Sequence, residues 1–168
     1  MSMRCFLVSP LSRTAGFEFD RDFDSYAALE ETDPERFAAL DIEAFEYRKD
    51  IDGTEMPQYG VTVAFQSLVV ELSFAQRVRD YLAQHEGAFA ECRITTQYGT
   101  YVGFKPFSLY EDVPDAPFFR IRKSPQEPTM WLETLYSEAF AGWIADHLPT
   151  DGLRIVPVTR DEKFQVLE

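Results

Sequence analysis

Close pairs of carboxylates are the residues of this sequence whose type and spacing could do chemistry. Asp20, Asp22 and Asp24 alternate with other residues, while Glu43 and Glu46 lie three positions apart. Two neighbouring carboxylates can act as general acid and general base, or they can ligate a hard cation. Pairs at such spacings also arise by chance, because the chain holds 29 acidic residues. The run around Asp22 lacks the glycine and the glutamate of a calcium loop. Because the chain also has only two histidines and no nucleotide-binding motif, we expect no metal and no other cofactor.

The histidines and cysteines make a weaker case for catalysis. His85 and His147 each fall near the C-terminus of a predicted helix, where an imidazole can cap free carbonyl groups. Cys5 and Cys92 fall on predicted buried strands, whereas a nucleophilic thiol needs a partly exposed, electropositive setting. The familiar motifs of hydrolases, nucleotide binders and zinc proteases do not occur in the sequence. We therefore predict no catalytic residue. The alternative is a small enzyme that uses a carboxylate pair in a cleft.

Negative charge is the strongest global feature of the chain. The formal net charge is −13, and residues 18–50 hold twelve acidic and four basic residues, a difference of eight. Such a field repels phosphate backbones and attracts basic proteins, so a nucleic acid is not an expected partner. An acidic surface can also serve solubility alone. If this region contacts a basic protein, the residues predicted to bind it are Asp20, Asp22, Asp24, Glu30, Glu31, Asp33, Glu35, Glu43, Glu46, Tyr110, Glu111 and Asp112.

The strands that must position these residues are indicated by apolar spacing. Residues 5–8 are apolar throughout, which predicts an interior strand near the N-terminus. Residues 61–72 are strand-like, but their apolar phase shifts near Gln66 and Ser67, which predicts a turn or bulge there. Residues 90–95 alternate and lead into a hairpin predicted across residues 98–100, followed by a strand over 101–104. Two further strands are predicted over residues 118–121 and 153–158.

Helices are predicted from their start signals. Asp33 before Pro34 predicts a capped helix start, and Ser73 and Ser137 predict two more. The first of these helices would place Phe37, Leu40, Ala44 and Tyr47 on its inner face. The last would bury Phe140, Trp143, Ile144 and Leu148. By the same reasoning most aromatic residues belong to the core, while Tyr110 and Tyr136, which have polar neighbours, are predicted to be exposed.

A pattern of predicted elements that occurs twice in the chain indicates the fold class. Residues 68–94 and 131–158 each run from a short apolar segment through a serine-capped helix to a strand. This pattern predicts an α+β fold of two related strand-helix-strand layers, with helices packed on a mixed or antiparallel sheet. The length of 168 residues predicts one domain over 1–168, with halves 1–108 and 109–168.

The sequence also favours a cytoplasmic location. It contains no run of about 18 apolar residues and no basic-then-apolar leader, so neither a membrane span nor a secretory signal is expected. Two cysteines without C-x-x-C spacing fit reduced thiols. The residues favour no particular oligomeric state.

Several of these segments together resemble immunity protein family eleven, bacterial antidotes of polymorphic toxin systems that were first catalogued as a domain of unknown function. The resemblance lies in residues 3–9, in Leu68-Val69-Val70 followed by Ser73, in Tyr101-Val102, in Phe118-Phe119-Arg120-Ile121, in Ser137 with its helix, and in residues 152–158. It covers most of the chain, although the acidic residues 20–50 have no firm counterpart in it.

The resemblance implies a binding function without catalysis. The protein would bind and neutralise a cognate toxin made by the same cell, forming an effector–immunity complex, and the acidic surface would steer it onto a basic toxin. The alternatives are the enzyme described above and an adaptor subunit of a secretion apparatus.

Overall fold

The computed structural model describes residues 5–10, 17–19, 33–46, 53, 60–64, 66–85, 89–107, 109–110, 114–121 and 134–158. In chain order its elements are β1 Cys5–Pro10, β2 Phe17–Phe19, α1 Pro34–Ala38, β3 Asp41–Glu46, β4 Val61–Ala64, β5 Ser67–Glu71, α2 Leu72–Ala83, β6 Phe89–Thr96, β7 Gly99–Pro106, β8 Leu109–Tyr110, β9 Phe118–Ile121, β10 Leu135–Ser137, α3 Glu138–His147 and β11 Leu153–Val158. Among these residues, no helix is long and apolar enough to cross a membrane.

The strands form two sheets, which confirms the predicted α+β fold with mixed or antiparallel pairing. One sheet has six strands in the order β2-β3-β6-β7-β5-β4, and the other has five in the order β11-β1-β10-β9-β8. The pairs β3–β6 and β8–β9 are parallel, and the remaining pairs in both sheets are antiparallel.

The two sheets contain the same unit in different chain order. In the larger sheet, α2 connects β5 to β6, and both strands pair antiparallel with β7 between them. In the smaller sheet, α3 connects β10 to β11, and both pair antiparallel with β1 between them. β4 flanks β5 as β9 flanks β10. The central strand follows the first unit in the chain but comes from the N-terminus in the second.

The ends of α2 and α3 repeat a short sequence and its packing. Residues 81–85 read Tyr-Leu-Ala-Gln-His and residues 143–147 read Trp-Ile-Ala-Asp-His. His85 stacks on Tyr81 with ring centroids 4.4 Å apart, and His147 stacks on Trp143 at 5.0 Å. Each Nδ1 lies against the carbonyl oxygen four residues earlier, at 2.8 and 3.0 Å, so each donates its hydrogen there. Both histidines lie at helix C-termini as predicted, although the Tyr81 carbonyl that His85 contacts is not free, because it also accepts from the backbone N–H of Gln84 at 3.2 Å.

The main core joins both sheets and both longer helices. Tyr81 of α2 stacks against Phe140 of α3, with ring centroids 5.0 Å apart and planes within 10°. The cluster around them consists of Val8, Val61, Leu68, Val70, Ala75, Val78, Leu82, Val102, Phe104, Phe118, Tyr136, Phe140, Ala141, Ile144, Leu148 and Leu153. A second cluster lies on the opposite face of the six-stranded sheet, where α1 inserts Phe37 against Ile42 and Ile94.

The helix predicted after Asp33 is shorter than expected, and residues 41–46 form a strand instead. The cap itself is confirmed, because the backbone N–H of Glu35 donates to Asp33 Oδ1 at 2.9 Å, but the helix ends at Ala38. The following residues form β3, whose burial alternates along the strand. Ile42 pairs with Ile94 of β6, so period-2 packing against a neighbouring strand outweighs the helical spacing of Ala44. Tyr47 lies outside the described residues.

Smaller corrections concern caps, turns and one tyrosine. Helix α2 begins one residue before Ser73, and no side chain caps its N-terminus. The predicted phase slip is a hairpin turn in which Gln66 has a φ of 59°. The β6–β7 hairpin turns at Gln97 and Tyr98, just before Gly99. Tyr136, predicted to be exposed, is fully buried because β10 lies between β1 and β9.

Candidate functional site

The outer side of β3 and β6 presents an exposed surface of mixed chemistry. Asp41, Glu43 and Phe45 alternate outward on β3, and Arg93 and Thr95 do so on β6. The register pairs Asp41 with Arg93 and Glu43 with Thr95, so these side chains lie on one face of the sheet. Phe45 is 52% exposed. We call the surface formed by these five residues the β3 face.

Packing elsewhere on the sheet explains why the β3 face is open. On the same side of the sheet, the buried Val102 and Phe104 of β7 belong to the main core together with residues of α2. Helix α2 reaches the border of the β3 face, where Arg79 forms an ion pair with Glu91 of β6. On the opposite side, α1 covers β3 and β6 through Phe37. The β3 face is therefore an exposed part of the six-stranded sheet, beside the region that α2 covers.

The ion pair at this border has favourable geometry. Arg79 Nε donates to both carboxylate oxygens of Glu91, at 2.8 Å to Oε1 and 2.7 Å to Oε2, and Arg79 Nη2 lies 2.7 Å from Oε1. The hydrogen bond to Glu91 is the main cause that raises the pKa of Arg79, and burial opposes it. Both side chains are about a third exposed, at 36% and 35%, so solvent screening limits what the pair adds to stability.

Glu46 departs from its predicted place on a partner-binding surface. Its side chain is buried, and its Oε2 accepts hydrogen bonds from Tyr101 at 3.0 Å and from Thr96 at 3.3 Å. The side-chain amide of Gln97 bonds the Glu46 backbone, at 3.0 Å to its N–H and 2.7 Å to its carbonyl. Gln97 thereby fastens the end of β3 to the β6–β7 hairpin.

The candidate pair of Glu43 and Glu46 is not brought together. A separation of three residues places two side chains on one face of a helix but on opposite faces of a strand. Because residues 41–46 form β3, Glu43 is exposed on the β3 face and Glu46 points into the core on the other side. This pair cannot act as the acid and base of one active site.

The other predicted binding residues are divided among several places. Helix α1 lies on the opposite side of the sheet from Glu43, and its N-cap Asp33 and its residue Glu35 are both exposed. Asp33 Oδ2 also lies 3.9 Å from Arg36 Nε. Tyr110 is half-buried, and its ring lies edge-on to Phe119 with centroids 6.4 Å apart. The predicted residues that lie outside the described part of the chain are Asp20, Asp22, Asp24, Glu30, Glu31, Glu111 and Asp112.

Residues suited to catalysis are placed unfavourably for it. Burial raises the pKa of the Cys5 thiol, and it raises the pKa of Cys92 to about 12. Such thiols are protonated near neutral pH and are poor nucleophiles. Lys105, also fully buried, has its Nζ 5.4 Å from the ring centre of Phe37 and 5.2 Å from that of Phe107. Within the described ranges, no group of three or more acidic, histidine or cysteine side chains is placed to hold a metal ion.

Sequence reasoning missed three residues that the structure makes prominent: Phe45, Arg93 and Lys105. Period-2 alternation over residues 41–46 was the available signal for Phe45, since a strand there turns Asp41, Glu43 and Phe45 to one side. Alternation along β6 gives the same side for Arg93. No local signal indicates the burial of Lys105, which lies near the ring of Phe37 on α1 and the ring of Phe107 just after β7.

Comparison of the chain with protein-family models, with curated proteins and with solved structures finds no match in any of the three. The resemblance to immunity protein family eleven therefore stays a prediction. Support for a function has to come from the surfaces of this molecule.

Proposed function

We propose that this protein is an immunity protein that binds and neutralises a cognate basic toxin and has no catalysis of its own. The observation that carries the proposal is the β3 face, where two exposed carboxylates accompany an exposed aromatic ring on one face of the sheet. The proposal keeps the predicted role of Glu43, adds Asp41 and Phe45, and removes Glu46 from the contact surface.

Charge supports a basic partner. The whole chain carries a net charge of −13, which accelerates encounter with a positively charged protein. Asp41 and Glu43 would oppose cationic side chains on that partner. Steering alone gives speed and orientation, whereas tight neutralisation needs a residue that is desolvated on binding.

Phe45 can provide that desolvated contact. A phenylalanine side chain in an interface buries roughly 150–250 Å². Because Phe45 is 52% exposed, about half of that area remains to be covered by a partner. At about 25 cal/mol per Å², covering it contributes roughly 2–3 kcal/mol. This makes Phe45 the anchor of the proposed contact.

The placement of the acidic and thiol groups supports binding over catalysis. Glu43 and Glu46 lie on opposite faces of β3, and Cys92 has a pKa of about 12. A secretion adaptor would also bind a protein through such a face. Growth distinguishes it from an antidote, because only an antidote rescues cells from the toxin.

Binding to the protein encoded by the adjacent gene tests the proposal directly. Titration calorimetry would compare the wild type with Glu43→Lys and Phe45→Ala. We expect the dissociation constant to rise at least about tenfold for Glu43→Lys and about thirtyfold for Phe45→Ala, the latter equal to about 2 kcal/mol. Asp151→Lys, an equal charge change at an exposed turn before β11, is the matched control and should stay within about twofold. Unchanged affinity in both β3-face variants would refute the proposed contact.

A further inference from the structure

A positive charge lies among the carboxylates of the β3 face. Arg93 is exposed on β6 directly across from Asp41 on β3. Among the described residues neither side chain forms an ion pair, although their strands are adjacent. Arg79, at the border of the β3 face, is by contrast held by Glu91 at hydrogen-bonding distance.

The spacing of these charges fits one element of a partner. Adjacent strands lie about 4.8 Å apart, and successive outward residues along one strand lie about 6.6 Å apart. Arg93 and Asp41 are therefore about 5 Å apart at the backbone, and Phe45 lies about 13 Å along β3 from Asp41. A single strand or helix laid across β3 and β6 would meet the negative, positive and aromatic groups together.

We propose that Arg93 determines specificity by pairing with a carboxylate that the partner presents among its basic residues. This inference rests on the proposed function and names the chemistry of the partner's surface. A uniformly basic surface would place a cation against Arg93 and would be repelled there. A partner with one acidic group opposite Arg93 and basic groups opposite Asp41 and Glu43 pairs every charge of the β3 face. Arg93 therefore excludes basic proteins that lack this acidic group.

The replacement Arg93→Glu distinguishes this pairing from general electrostatic attraction, because the two predict opposite changes in affinity. It makes the whole protein more negative by two charges, so general attraction predicts tighter binding to any cationic partner. Specific pairing predicts the reverse for the cognate partner, because two carboxylates would then oppose each other. Poly-L-lysine is the probe for general attraction, and the protein encoded by the adjacent gene is the probe for pairing.

We expect Arg93→Glu to weaken binding to the adjacent-gene protein at least about tenfold while binding poly-L-lysine more tightly than the wild type. Arg93→Lys keeps the charge but loses the two-pronged donor geometry of the guanidinium, so a smaller loss of about threefold to tenfold is expected. Arg154→Glu, at an exposed position of β11, makes the same charge change away from the β3 face and serves as the control.

The outcomes distinguish the two proposals. If the wild type binds the adjacent-gene protein but Arg93→Glu binds it equally or more tightly, the pairing is overturned and the proposed function stands. If the wild type does not bind that protein, the proposed function fails and the inference fails with it. Melting temperatures of Arg93→Glu and Arg93→Lys that both equal that of the wild type show that a loss of binding is not a loss of folding.

Discussion

Replacing Tyr136 by phenylalanine should stabilise the protein. The ring of Tyr136 is fully buried, with ring centroids 5.9 Å from Phe118 and 5.7 Å from Phe140. Its hydroxyl is buried without a hydrogen-bond partner in the part of the chain that the structure describes. Burial also raises the pKa of Tyr136 above its ordinary range. Phenylalanine keeps the ring and its contacts and removes only the group that folding strips of water.

The expected gain follows from two opposing terms. Burying a hydroxyl without a partner costs about 1–3 kcal/mol in proteins. Removing one oxygen leaves a small space, which costs roughly 0.3 kcal/mol at about 24 cal/mol per Å³. Tyr136→Phe should therefore raise the free energy of unfolding by about 1–2 kcal/mol. For a chain of this length, that corresponds to an increase in Tm of roughly 2–8 °C.

Tyr101→Phe is the matched control, because it makes the same chemical change at another buried tyrosine. The Tyr101 hydroxyl donates to the Glu46 carboxylate at 3.0 Å, and losing a hydrogen bond to a charged group costs about 1.5–3 kcal/mol. Urea unfolding at pH 7 should thus give opposite signs for the two variants. A Tyr136→Phe variant that unfolds at lower urea than the wild type would refute the reasoning.

Two further predictions concern pH and backbone packing. The Cys92 pKa rises from 9.0 to about 12 on folding, so its contribution to stability is complete below pH 9 and is lost as the pH rises from 9 towards 12. Between pH 8 and pH 10.5 the wild type should lose about 2 kcal/mol more than Cys92→Ala in urea unfolding, and equal losses would contradict this. A Cβ on Gly60 would lie 2.8 Å from Phe74 Cε2 and 3.2 Å from Pro149 Cγ, so Gly60→Ala should lower the free energy of unfolding by about 1–3 kcal/mol. Gly142→Ala, with nothing within 4 Å, should raise it by up to about 1 kcal/mol, and thermal unfolding of the pair checks the contrast.

Sequence patterns predicted the repeated units well because local and long-range signals agreed there. Ser137 caps α3 by accepting from the N–H of Phe140 at 3.1 Å. Of the four residues predicted for the inner face, Phe140, Ile144 and Leu148 are buried, whereas Trp143 is half-buried. The hairpin of β6 and β7 likewise shows both alternation and a turn. The repeat of the strand-helix-strand unit could be predicted for the same reason. The similar sequences at the C-terminal ends of α2 and α3 were not recognised.

The candidate site was less predictable, because its residues take their places from distant contacts. Asp33 and Pro34 correctly predicted a helix start, but residues 41–46 form a strand because they pair with β6. Glu46 is buried because Tyr101 and Thr96, fifty or more residues away, supply its hydrogen bonds. A spacing of three along the chain therefore suggested a carboxylate pair that the strand separates.

Growth of cells that express the adjacent gene's protein is the most direct test of the central claim. Coexpressed wild-type protein should restore growth, and so should the control Asp151→Lys. A variant that combines Glu43→Lys with Phe45→Ala should fold with an unchanged Tm yet fail to protect the cells. Full protection by that variant would contradict the claim that neutralisation takes place through the β3 face, and no protection by the wild type would contradict the immunity function itself.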